Sequence, residues 1–262
     1  SSAASDVYKR QVPVKPTIDV AALAAGNFTD AEVLFDWMAF DVPKGGNKLI
    51  GVTLLYTGKN GVDYTPTDIE LFWAKSHLQV APGTLGDDGA AVDTFGWFNN
   101  IIGKTYVDVS NGRNDGDLIT GNVITVGNPG GGTAAKSNES NLVGANGLVL
   151  QGETESGTNV GYDKLYVAGI AKDTHNWGAS TVVSDGTQST SSPTITVKTV
   201  SAVITCGPGD ILRDQDGLLF GTVKTVDSAT SITLEDNSAS ATTDGKLVYN
   251  TTPITLILSF ER

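Results

Sequence analysis

Apolar positions alternate with polar ones over short runs, with the two-residue period of half-buried strands. In 31–41, Val33, Phe35, Trp37 and Ala39 share one face, with Asp36 opposite. In 68–75, Ile69, Leu71 and Trp73 alternate with Asp68, Glu70 and Phe72. Segments 48–56, 101–109, 148–151 and 164–171 read as further strands, with a short one at 123–126. Val42-Pro43-Lys44-Gly45-Gly46-Asn47 is turn chemistry, and Asn60-Gly61 is a hairpin signal. The stretch 79–100 reads as a long loop carrying Asp87-Asp88-Gly89. The stretch 12–30 is irregular and reads as a linker, an arm or a short helix. No segment is clearly written as a helix.

The character changes near Ser184. The Ser/Thr/Gly-rich stretch 185–192 reads as a linker. Beyond it, apolar runs at 194–206, 210–213, 218–226, 231–235 and 246–249 are separated by turns. Two of these turns are Gly207-Pro208-Gly209 and Asp214-Gln215-Asp216-Gly217. Short strands so closely spaced predict a small barrel over 193–250. A strongly apolar strand follows at 254–260. The fold class is all-β: an antiparallel β-sandwich plus a small β-barrel.

Composition agrees. Of 262 residues, 31 are glycine and only 18% are charged, so the usual fillers of exposed helix faces are scarce. A net charge of −12 argues against a nucleic-acid groove, which needs clustered Lys and Arg. No long apolar run supports a membrane span. Cys206 is the one cysteine, so it forms no internal disulfide and no metal cluster, and is expected to pack as a small apolar residue.

Candidate chemistry is sparse. His77 and His175 are the two histidines, and no Gly-x-Ser-x-Gly elbow accompanies them. Gly103-Lys104-Thr105 lacks the earlier glycine of a phosphate loop, with Phe98 in its place, and runs into a strand. Asp87-Asp88-Gly89, 111–117 and 214–217 are acidic, Gly-bearing loops of the kind that hold Ca²⁺, though each reads first as a solvated turn. Within 111–117 the candidate metal ligands are Asn111, Asp115 and Asp117. Trp37 and Trp73 lie on strand faces that look buried. Trp97 and Trp177 lie in loops and are the candidate ligand-facing aromatics.

A longer arrangement is more informative. Phe40-Asp41-Val42-Pro43-Lys44-Gly45-Gly46 leads into Leu49-Ile50-Gly51-Val52, then Asp68-Ile69-Glu70-Leu71-Phe72. Thr84-Leu85-Gly86-Asp87-Asp88-Gly89-Ala90-Ala91 and Asn100-Ile101-Ile102-Gly103 follow. Leu148-Val149-Leu150, Leu165-Tyr166-Val167-Ala168-Gly169-Ile170-Ala171 and Asp173-Thr174-His175 close the run. It resembles the β-sandwich virion structural proteins of tailed bacteriophages, over 31–181 plus 254–262. In that pattern the turn near Thr174 runs directly to the last strand. Here the small barrel intervenes, so it is expected as an insertion. The expected organisation is an N-terminal arm at 12–30, a jelly-roll-like sandwich at 31–184 plus 253–262, and the barrel between them.

The resemblance implies a non-enzymatic protein of the capsid surface, a decoration or cement component with no cofactor. Its partners would be the major capsid protein or other virion proteins. Homo-oligomerisation is expected because exposed sheet edges need covering and virion proteins act in symmetric sets. The alternative is a head-fibre, tail or receptor-binding module engaging host glycans. A secreted enzyme or adhesin fragment would instead need a cleft holding two carboxylates or a histidine dyad. The lack of a long helix pattern weakens a major-capsid reading.

The first eleven residues, Ser1 to Gln11, read codon for codon like an in-frame translation of a transposase-based sequencing adapter. On that reading the natural sequence begins near Val12, the source is a shotgun library, and residues 1–11 carry no evolved contacts.

Overall fold

The computed structural model describes residues 9–57, 68–93, 96, 98–107, 113–115, 118–120, 124–125, 148–152, 162–176, 182–198 and 206–261. The described residues form antiparallel sheets and one short helix. β1 (Lys9–Val14), β4 (Asn47–Thr57), β7 (Arg113–Asp115), β8 (Leu118–Thr120) and β18 (Ile254–Glu261) run in the order β1-β18-β4-β8-β7. β9 (Ile124–Thr125) and β10 (Leu148–Leu150) also pair with β4, completing a seven-stranded sheet. β3 (Val33–Pro43), β11 (Tyr162–Ala171), β5 (Ile69–Lys75) and β6 (Ile101–Val107) form a second sheet in the order β3-β11-β5-β6. β2 (Asn27–Phe28) pairs with β12 (His175–Asn176), so His175 lies in a strand, where the sequence suggests a turn.

The two larger sheets share one core, which makes the fold sandwich-like. Along β18, Ile254, Leu256, Leu258 and Phe260 are buried while the residues between them are half-buried. This is the period that places alternate side chains on opposite faces. Phe40 of β3 meets Phe260 of β18 at 6.3 Å between ring centroids and Trp73 of β5 edge-on at 6.2 Å. Trp73 is fully buried, and its indole N–H donates to Thr105 Oγ1 at 2.9 Å. That bond spares the core an unpaired donor.

A smaller apolar cluster lies on the other face of the second sheet. It gathers Val33, Leu85, Ala168 and Ile170, with Trp37, Phe72, Val92 and Ile101 against it. Here the simple alternation read for 31–41 is corrected. The β3–β11 register shifts around Gly169, so adjacent residues Leu34 and Phe35 both enter the main core. Val33 and Trp37 face the smaller cluster, and Ala39 is exposed.

The stretch 12–30 is integrated into the sandwich. β1 pairs along β18 from Lys9↔Glu261 to Val14↔Leu256. Helix α1 (Val20–Ala25) buries Val20, Ala22 and Leu23 in the main core. Gly26 ends it in the left-handed region, φ 79°, donating its N–H to Ala22 O at 3.0 Å. The backbone of Lys9, Arg10 and Gln11 therefore pairs in a sheet, within the segment read as adapter-derived.

β13 (Thr194–Thr196), β14 (Ile211–Asp214), β15 (Leu219–Ser228), β16 (Ser231–Leu234) and β17 (Val248–Asn250) form a five-stranded sheet in the order β13-β16-β15-β14-β17. It has its own core, which includes Val182, Ile195, Leu212, Phe220, Val223 and Ile232. The stretch read as a linker is laced into this unit: Asp185 N–H donates to Thr196 O at 2.9 Å, Gln188 bridges Thr242, and Gln188 is buried. After the unit closes, β18 joins the seven-stranded sheet, between β1 and β4. Lys15 Nζ meets Asp210 Oδ1 at 2.7 Å, and Ile18 N–H donates to Thr251 O at 2.7 Å. Tyr249 packs in the sandwich core. These contacts seat the five-stranded sheet on the sandwich.

Candidate functional site

A cleft of about 340 Å³ lies beside β3. Its floor is Asp36, Trp37 and Met38; one wall is Thr84, Gly86, Asp87 and Asp88; the other is Thr17 and Asp19. Each wall has a local cause. The loop following Pro82 docks on the edge of β3, where Gly89 N–H donates to Val33 O and Val33 N–H donates to Ala90 O, both at 2.8 Å. Asp36 fixes the near end of that loop. Its Oδ1 accepts from Leu85 N–H at 2.7 Å and its Oδ2 from Thr84 Oγ1 at 2.7 Å. Gly86 has φ 147°, and a Cβ there would stand 3.1 Å from Ala91 O and from Val33 Cγ2. A side chain at this position would strain the backbone and push its neighbours by a few tenths of an ångström.

The second wall is tied by Asp88, whose Oδ2 accepts the Asp19 N–H at 2.8 Å just before α1. Burial pushes the Asp88 carboxyl up from 3.8 to about 6, and the nearby charges of Asp19 and Asp36 add to the rise. The hydrogen bond from Asp19 N–H opposes it. Trp37 is half-buried, and its Nε1 is buried without a hydrogen-bond partner. The cleft thus combines four carboxylates (Asp19, Asp36, Asp87, Asp88), two hydroxyls (Thr17, Thr84) and an indole. That chemistry suits a ligand rich in hydroxyl or cationic groups.

Most of the candidates read from the sequence fall elsewhere. Trp97, Trp177, Asn111 and Asp117 lie outside the described residues, and Asp115 is described only as backbone of β7. His77 is exposed on a hairpin, and the His175 side chain lies outside the described residues. Lys104, in the rejected phosphate-loop match, sits mid-strand in β6 and pairs with Glu70 at 2.6 Å. Among the described residues no three His, Cys, Asp or Glu side chains converge as a metal site.

The acidic loop 214–217 is structural. Asp214 is fully buried, its Oδ1 accepting from Asp216 and Leu218 N–H at 2.9 Å each, and its Oδ2 from Thr242 Oγ1 at 2.7 Å. This is one carboxylate satisfied by three donors, not a solvated turn. Cys206 packs against the small core, where burial first, and the charge of Asp210 second, push its thiol up to about 12.

Sequence reasoning did not assemble the cleft. Asp36 looked like a solvent-facing strand residue and Asp87-Asp88 like a turn. Only the fold brings together side chains that sit in three separate segments of the chain. No protein-family model, curated protein or solved structure matches this chain.

Proposed function

We propose that this protein is a structural component of a tailed-phage virion, bound to the capsid exterior as decoration or cement. The observation that supports it is mechanical. A sandwich-like body carries a separate five-stranded unit, and the chain then returns to pair β18 between β1 and β4. We read that body as jelly-roll-like and the unit as a small barrel inserted into it. A strand that returns from the separate unit to lie between two others suits a part that bears load. A charge of −12 suits a soluble surface component that repels polyanions. Co-sedimentation with capsids assembled from the capsid gene neighbouring its own tests this reading. Saturable pelleting with capsids is expected, and its absence at micromolar protein overturns the proposal.

One observation favours a second reading, a receptor-binding module for host glycans. The cleft sets the Trp37 indole beside Asp19, Asp36, Asp87, Asp88 and two threonine hydroxyls. Ring faces and carboxylate acceptors suit a sugar's C–H and O–H groups. Hits on a glycan array that vanish on Trp37→Ala support this reading, and an array without hits sinks it. The same cleft holds more than one carboxylate, so release of reducing ends from any bound glycan would point to hydrolysis.

A further inference from the structure

The structure points to a specific surface for self-association. His77 and Val80 form a two-residue hairpin, with His77 N–H donating to Val80 O at 2.9 Å and Val80 N–H to His77 O at 3.0 Å. Both central residues have positive φ, Leu78 at 52° and Gln79 at 66°. Such turns normally take Asn or Gly, because a larger residue is strained there. Leu78 is also 79% exposed and Val80 66%, the two most exposed large apolar side chains among the described residues. Two ordinary rules, on turn chemistry and on burial, are broken at one place. Such coincidences are expected at functional sites.

The knob is held rigidly. Asn100 Nδ2 donates to Lys75 O at 2.8 Å and to Val80 O at 3.3 Å, and Ser76 beside it is fully buried. Asn100 immediately precedes β6, which pairs only with β5 among the described residues and is an edge of its sheet. β6 itself is half-buried to buried, so the hairpin, not the strand edge, carries the exposed apolar surface.

Charge favours a second copy as the occupant. On a chain of net charge −12, no carboxylate occurs between Glu70 and Asp87 or between Asp93 and Asp108. The hairpin and β6 lie in these two segments. Like-charged molecules approach most easily where their own charge is missing. We propose that a second copy of this chain docks here, with Leu78 and Val80 at the centre of a twofold contact. This does not depend on the proposed function.

The test is sedimentation of the intact chain over a wide concentration range. Wild type is expected to dimerise, and Leu78→Asn to raise the dissociation constant about tenfold or more. Asn accepts the left-handed backbone, so the variant's melting temperature should be unchanged or higher at concentrations where both proteins are monomeric. Val80→Thr, which keeps a β-branched side chain, provides a second disruption. Leu218→Asn, at another exposed apolar position, should leave association unchanged. A monomeric wild type, dimers that survive Leu78→Asn and Val80→Thr, or equal loss in Leu218→Asn each overturns the proposal.

Discussion

The ring of Phe35 lies against the backbone of Gly169 on the neighbouring strand, so closely that an added Cβ would stand 2.4 Å from Phe35 Cε1. The glycine makes room for the ring at the point where the β3–β11 register shifts, and the ring fills the main core. Gly169→Ala should therefore destabilise the fold by about 1–3 kcal/mol through overpacking. Pairing it with Phe35→Leu should recover part of the loss. Urea unfolding of both variants and the double variant measures the coupling, and additive losses would contradict the contact.

Asp88 makes stability depend on pH in a direction unusual for a carboxylate. Its folded value of about 6 lies above the ordinary 3.8, so the folded state binds the proton more tightly. Between those two values its contribution falls as pH rises, because the buried group must ionise. Asp88→Asn keeps an acceptor for Asp19 N–H and removes the charge. It should stabilise the protein at pH 7 to 8 by about 1 kcal/mol after allowance for solvent screening, with the gain shrinking toward pH 4. Thermal melts across that range check the trend, and a gain that grows on acidification would refute it.

Asp214 should be intolerant of removal. Asp214→Ala leaves Thr242 Oγ1 and the amides of Asp216 and Leu218 without their acceptor in a fully buried place. A loss of about 3 kcal/mol or more is expected in chemical denaturation. Asp214→Asn should cost less, since one oxygen still accepts.

Cys206 should be inert while the protein is folded. A thiol held near pKa 12 carries almost no thiolate at pH 8, and thiolate is the reacting form. Labelling by a disulfide reagent should be far slower than for a free thiol and should accelerate with urea as the five-stranded unit opens. Rapid labelling without denaturant would contradict this.

The strands were legible where burial is one-sided and glycine or proline marks the ends. The run expected at 48–56 is β4 at Asn47–Thr57, and that at 254–260 is β18 at Ile254–Glu261. The hairpin at 77–80 was hidden inside an expected loop because Leu78-Gln79 is not turn chemistry; its geometry is imposed by Asn100. β1 was hidden because Lys9 to Gln11 read as adapter-derived and the rest of the strand as part of an irregular arm; Pro13 within it is tolerated in an edge strand. The cleft was illegible for a different reason. Asp36 and Leu85 are 49 positions apart, and no local spacing announces a contact made by loop docking.

The pairing of β1 with β18 has a practical consequence. Lys9 and Glu261 are register partners, so positions 9 and 261 sit side by side on adjacent strands. A short glycine linker joining them should yield a circular permutant, opened anew at the exposed hairpin tip around Ala229. Cargo fused beyond either position would leave from the same corner of the molecule, which makes that corner the natural attachment point for display.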